Sequence, residues 1–143
     1  MPALTKVVFM SQEWAEAYLP RPHEAIISIT DHGTPNADLN AGWHAVLRIS
    51  FDDVDPIESP AEPGEDLIEI QDQQAERIAS FVRNNFHAVD TVVVHCKYGQ
   101  SRSAGVAKAI AKQHGLAFPE GYAYANNYVY ELVLNSLRLQ GVA

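Results

Sequence analysis

The stretch Thr91-Val92-Val93-Val94-His95-Cys96-Lys97-Tyr98-Gly99-Gln100-Ser101-Arg102-Ser103-Ala104 changes character twice in a short span. It opens with a β-branched apolar run, the pattern of a strand buried on both faces. A short polar loop follows. From Ser103 to His114 the chain is Ala-rich and predicts a helix, with Gly115 just past its end as a stop. A buried strand, a tight loop and a helix form the repeating unit of α/β proteins, whose ligands gather at the carboxyl ends of the strands. The residue at that end is Cys96.

On the amino-terminal side, Lys6 to Met10 and Ala25 to Thr30 are short apolar runs that suit buried strands. Ser11 is placed to cap a helix reaching Tyr18, before Pro20 and Pro22. His44 to Phe51 alternates through Ala45, Leu47, Ile49 and Phe51, a third strand. Asp52 to Asp66 holds three of the eight prolines and predicts a long loop. Asp72 is placed to cap a helix to about Phe86, with Ile78, Val82 and Phe86 on one face. Tyr122 to Leu139 predicts the last helix. The expected fold is α/β: one domain over 1–143, with a central, mostly parallel sheet of four to five strands flanked by helices.

Between Cys96 and Arg102 lie five residues. A loop of that length can curl around one anion, its successive N–H groups pointing inward as a nest. The helix beginning near Ser103 adds its positive end, and Gly99 supplies the positive φ that a tight curl needs. Arg102 can offer two parallel donors to phosphate oxygens. The same donors stabilise a thiolate on Cys96, the nucleophilic form.

His95-Cys96, five residues, then Arg102-Ser103 resembles the signature of the protein tyrosine phosphatase superfamily, in particular its compact dual-specificity-like branch with predicted bacterial members. The likeness is specific in that core and extends more loosely from Ala45 to about Gly115. It implies a phosphotyrosine-phosphatase-like fold and a phosphatase with Cys96 as nucleophile. It implies that Arg102 binds the phosphoryl group, and that the amides of Lys97, Tyr98, Gly99, Gln100, Ser101 and Arg102 line the cradle. Ser103 matches the hydroxyl that assists breakdown of the thiophosphate. His95 matches the residue that fixes the loop and the thiol's ionisation. The family's general acid is an Asp on a loop upstream of the Cys, after a strand. Phe51-Asp52-Asp53-Val54-Asp55 is that position here, with Asp53 the first choice, then Asp52, then Asp55. The segment Glu58 to Asp66 resembles an insertion and lengthens the usual separation between acid and nucleophile.

The charge of −8 is unevenly spread over the 143 residues. Ile49 to Glu76 carries ten acidic residues and no Lys or Arg, whereas Thr91 to Pro119 carries no Asp or Glu and four basic residues. The overall acidity argues against nucleic-acid or membrane partners. The acidic segment is expected to act as a lid or a selector against highly anionic ligands. His23, His32, His44, His87 and His114 show no metal-ligand spacing, and neither metal nor cofactor is expected. Trp14, Trp43 and the tyrosines at 122, 124, 128 and 130 are expected in the core, and Lys108 and Lys112 in solvent. A lone cysteine and the lack of a signal-like or membrane-spanning run suit a cytoplasmic protein. The expected partners are a phosphorylated protein or a small phosphoester. An arsenate reductase would need further cysteines to pass a disulfide along. The remaining alternative is a pseudophosphatase that binds phosphorylated partners without turnover.

Overall fold

The computed structural model describes residues 3–141. Four strands, β1 (Lys6–Ser11), β2 (Glu24–Thr30), β3 (Ala45–Ser50) and β4 (Thr91–Cys96), form one sheet in the order β1-β4-β2-β3. Every pairing is parallel. The expected α/β architecture is present, with four strands rather than five. No strand in it runs antiparallel, because each strand-to-strand connection is a crossover over a face of the sheet.

The helices are α1 (Gln12–Ala17), α2 (Asp72–Asn85), α3 (Arg102–His114) and α4 (Asn127–Leu139). β2 and β4 are central and buried along their whole length, as their largely apolar centres require. One face packs Ala25, Ile27, Ile29, Val92 and Val94 with apolar residues of α2, α3 and α4. The other face packs Ile26 and Val93 with Ala15 of α1, flanked by Tyr18, Leu39 and Trp43. Period-two alternation sends neighbouring side chains of one strand into these two cores. Truncating a buried Ile in either core costs about 2–5 kcal/mol.

Several boundaries differ from the sequence expectation. Ser11 caps α1 as expected, its Oγ accepting from the Trp14 amide at 3.2 Å. Gln71, not Asp72, precedes α2, and its amide donates to Gln74 Oε1 at 2.8 Å. The last helix begins at Asn127 rather than Tyr122, because Asn126 caps it by accepting from the Val129 amide at 3.0 Å. Tyr122 and Tyr124 therefore lie in the preceding connection, where Tyr122 packs edge-on against Phe9 and Phe118. Trp14 is 71% exposed and outside the core. A helix of six residues has too little surface to bury both Ala15 and its neighbour. Trp43 is half-buried and stacks on Tyr18 at 5.3 Å. Lys108 lies 4.5 Å over the Tyr130 ring rather than free in solvent. Among the described residues no helix is long and apolar enough to cross a membrane.

Candidate active site

Cys96 ends β4, where it pairs with Ser11 of β1, one residue past the last β2 pairing, Ser28 with His95. Cys96 is 2% exposed. Its Sγ lies 3.1 Å from Ser103 Oγ and receives the Ser103 amide at 3.4 Å. Both contacts come from the first turn of α3, the positive end of the helix.

The loop from Lys97 to Ser101 is anchored at each point of its curve. Gly99 has φ of 71°, and a Cβ there would collide with the Ser11 amide nitrogen and the Met10 carbonyl. Glycine is thus required twice, by conformation and by close packing on the end of β1. The Lys97 carbonyl accepts from the Gln12 amide at 3.3 Å. Tyr122 donates its hydroxyl to the Gln100 carbonyl at 2.7 Å. Burial pushes the Tyr122 phenol up, with Cys96 and Tyr124 adding to the effect, so it remains a donor at neutral pH. The Ser101 carbonyl accepts from the amides of Gly105 and Asn126, each at 2.9 Å.

Arg102 is 4% exposed. Its Nη1 donates to Asp31 Oδ1 at 2.7 Å and to the Phe51 carbonyl at 2.8 Å. Its Nε is buried with no partner. A buried donor without a partner on a charged group is costly unless an acceptor reaches it. The sequence reading gives Asp31 no part in the site. It lies just past β2, at the same carboxyl edge of the sheet as Cys96, and that topological rule could have found it.

The three acid candidates separate cleanly. Asp52 is buried and accepts from the amides of His32 at 3.0 Å and Ile68 at 2.8 Å, one on each oxygen. Asp55 is buried and accepts from the amides of Ile57 and Glu58 on Oδ1, each at 3.0 Å, and Tyr128 at 3.3 Å on Oδ2. Both are loop-building carboxylates. Asp53 is exposed and turns to the cradle, where its Oδ1 accepts from Ser101 Oγ at 2.8 Å and Asn126 Nδ2 at 3.0 Å. Asn126 is the second residue the sequence reading missed. Besides capping α4 it ties Asp53 and the Val54 carbonyl to the cradle. Its cap position was legible only as a local signal. The Asn126 carbonyl also sits where a Cβ on Gly105 would fall, at 2.7 Å.

His95 is fully buried, and its Nε2 bonds the Ser28 hydroxyl of β2. Burial pulls its pKa down, against an opposing bond with the Cys96 carbonyl, so the ring is neutral at pH 7. It touches the backbone of Cys96, not the thiol, and acts as a positioning residue. Lys97, Tyr98 and Gln100 turn their side chains to solvent. Among the described residues no group of three or more His, Cys, Asp or Glu side chains clusters closely enough to hold a metal ion. No protein-family model matches the chain, and no curated protein shows significant similarity to it.

Proposed function

We propose that this protein is a phosphomonoester hydrolase acting through a cysteinyl-phosphate on Cys96, in the manner of the compact protein tyrosine phosphatases. The observation that carries this reading is Arg102: a buried guanidinium, held at Nη1 by Asp31 and Phe51, with Nε unpartnered beside the loop that starts at Cys96. A phosphoryl oxygen supplies the missing acceptor, and bidentate geometry suits a guanidinium. The substrate is a phosphorylated protein or a small phosphoester, and the lone thiol suits a reducing, cytoplasmic setting.

In the first step the Cys96 thiolate attacks phosphorus, forming the P–S bond as the ester P–O bond breaks. The leaving oxygen takes a proton from Asp53. In the second step Asp53, now a carboxylate, takes a proton from water as the water oxygen attacks phosphorus. The P–S bond breaks and inorganic phosphate leaves. The Ser103 hydroxyl, 3.1 Å from the sulfur, stabilises the departing thiolate. The cradle amides and Arg102 carry the charge of the phosphoryl oxygens in both steps.

A second reading, phosphate binding without turnover, is favoured by one observation. Asp53 Oδ1 is already engaged by Ser101 and Asn126, and only the other oxygen is free to move a proton. Hydrolysis of para-nitrophenyl phosphate across pH 4 to 8, with a chelator, decides between them. Turnover that vanishes in Cys96→Ser supports the hydrolase. Absence of turnover in folded protein that still binds phosphate supports the binding module.

A further inference from the structure

Helix α1 is a ridge between two grooves that both run into the phosphate-binding loop. On one side lies a groove of about 490 Å³ lined by Gln12, Glu13, Glu16, Asp31 and Lys97, among others. On the other lies one of about 670 Å³ lined by Phe9, Met10, Trp14, Tyr18 and Tyr98 beside Gly99. Helical spacing makes this partition: Ser11, Trp14 and Tyr18 share one face, while Gln12, Glu13 and Glu16 share the next.

The two grooves differ in chemistry. Trp14 and Tyr98 are 71% and 72% exposed. Two large uncovered aromatics beside a candidate nucleophile form an apolar surface awaiting cover. In the other groove Glu16 is pinned by the Asp38 amide at 2.8 Å and by Gln12 Nε2 at 3.1 Å. These bonds hold its carboxyl below the usual range, and it is ionised at neutral pH. Glu13 is exposed, and Asp31 is committed to Arg102. The one cation in the groove, Lys97, leans over the Tyr98 ring at 5.5 Å. On the far side of the loop, Asp53, Asp55 and Glu58 line a third hollow with Ser101.

A phosphoester bearing further phosphates would meet carboxylates on two sides of the cradle. A small neutral ester would fill neither groove. We infer that the site takes phosphorylated polypeptide segments with a basic residue on one side of the phosphorylated residue and a large apolar residue on the other, straddling α1. This rests on the hydrolase reading above and names its substrate class. The basic residue lies against Glu13 and Glu16, and the apolar one covers Trp14 and Tyr98. Lys97 and Tyr98 are consecutive, so both grooves open within a residue or two of the phosphoryl group.

The test uses the full chain and short phosphotyrosine peptides with Arg and Leu flanking the phosphotyrosine in both orders, plus versions with Glu for Arg or Ser for Leu. One of the two orders is expected to give a kcat/KM about tenfold above its Glu and Ser versions, mostly through KM. Glu13→Arg is expected to reverse the Arg-over-Glu preference. Trp14→Ala is expected to erase the Leu-over-Ser preference and to lower the ratio of peptide to para-nitrophenyl phosphate turnover about tenfold. Equal kcat/KM for all peptides, or preferences that survive both substitutions, would overturn the inference. If wild type cleaves neither peptide nor para-nitrophenyl phosphate, the hydrolase reading fails by itself. Fluorescence anisotropy of the same labelled peptides then decides the grooves: the same ranking in affinity upholds them, and no discrimination overturns them.

Discussion

Arg102 Nη1 lies 2.7 Å from Asp31 Oδ1, although 71 positions separate the two residues in the chain. The pair joins the ends of two adjacent parallel strands, since Asp31 follows β2 and Arg102 follows the loop after β4. It fixes the Nη1 side of the guanidinium, while Nε has no partner. Asp31→Ala should leave that side held by the Phe51 carbonyl alone, lowering kcat/KM for para-nitrophenyl phosphate about thirtyfold, or about 2 kcal/mol. Asp31→Asn retains a neutral acceptor and should lose less. Steady-state kinetics and inhibition by inorganic phosphate measure both effects, and unchanged constants in Asp31→Ala would refute the positioning role.

Asp53 is the only one of the three neighbouring carboxylates that turns to the cradle. Asp53→Asn should lower kcat about a hundredfold for phenyl phosphate, whose leaving group needs a proton, and much less for para-nitrophenyl phosphate. Asp52→Asn should instead lower stability by about 1–3 kcal/mol, because one of its two backbone donors is left with a poorer acceptor or none. Leaving-group dependence and urea unfolding, run side by side, separate the two residues. A leaving-group effect in Asp52→Asn and none in Asp53→Asn would transfer the role.

Gly105→Ala places a methyl group 2.7 Å from the Asn126 carbonyl. That clash pushes Asn126, and with it the Asp53 carboxylate, away from Ser101. Activity should fall by about tenfold, with a loss of about 1–3 kcal/mol in stability. Asn126→Ala should reproduce the loss of activity with Gly105 intact. Should Asn126→Ala keep full activity, the link between the cap and the acid is not functional.

Neutral His95 gives a pH dependence whose sign is fixed. Its folded pKa lies below the ordinary value of 6.5, chiefly through burial. The unfolded chain therefore binds more protons near and below pH 6.5. The stability conferred by the neutral ring is fully present above that value and is lost as pH falls from there through the lowered folded pKa. His114 is shifted the same way by burial, so the difference between wild type and His95→Asn isolates His95. Urea unfolding from pH 8 to 5 should give a shallower decline in the variant. Parallel curves would show that His95 is not the titrating group.

The sheet and the strand–loop–helix unit were legible because their signals are local. A β-branched run, a helical period and a Cys-to-Arg spacing are each written within a few residues, as at Thr91 to His114. The start of α4 differs because aromatic residues at 122 and 124 continue the apolar pattern, while Tyr122 finds its partners, Phe9 and the Gln100 carbonyl, far away in sequence and Tyr124 is exposed. The partners of Asp31 and Asn126 are not written locally for the same reason: each acts across the sheet or between loops, and only the topology brings it to Arg102 or Asp53. The choice among Asp52, Asp53 and Asp55 turned on which backbone amides each carboxylate meets, and composition carries no trace of that.

Asp52 donates its amide to the Ile68 carbonyl at 2.7 Å and receives the Ile68 amide on Oδ2 at 2.8 Å. These two bonds close the acidic excursion at its neck. Within it, the Asp55–Ser59 bridge closes a smaller turn over 56–58. The stretch from 60 to 66 thus hangs from the scaffold as a cassette. Changes of length there should leave β3, Arg102 and Asp53 in place, because the Asp52–Ile68 bonds hold the neck shut independently of it.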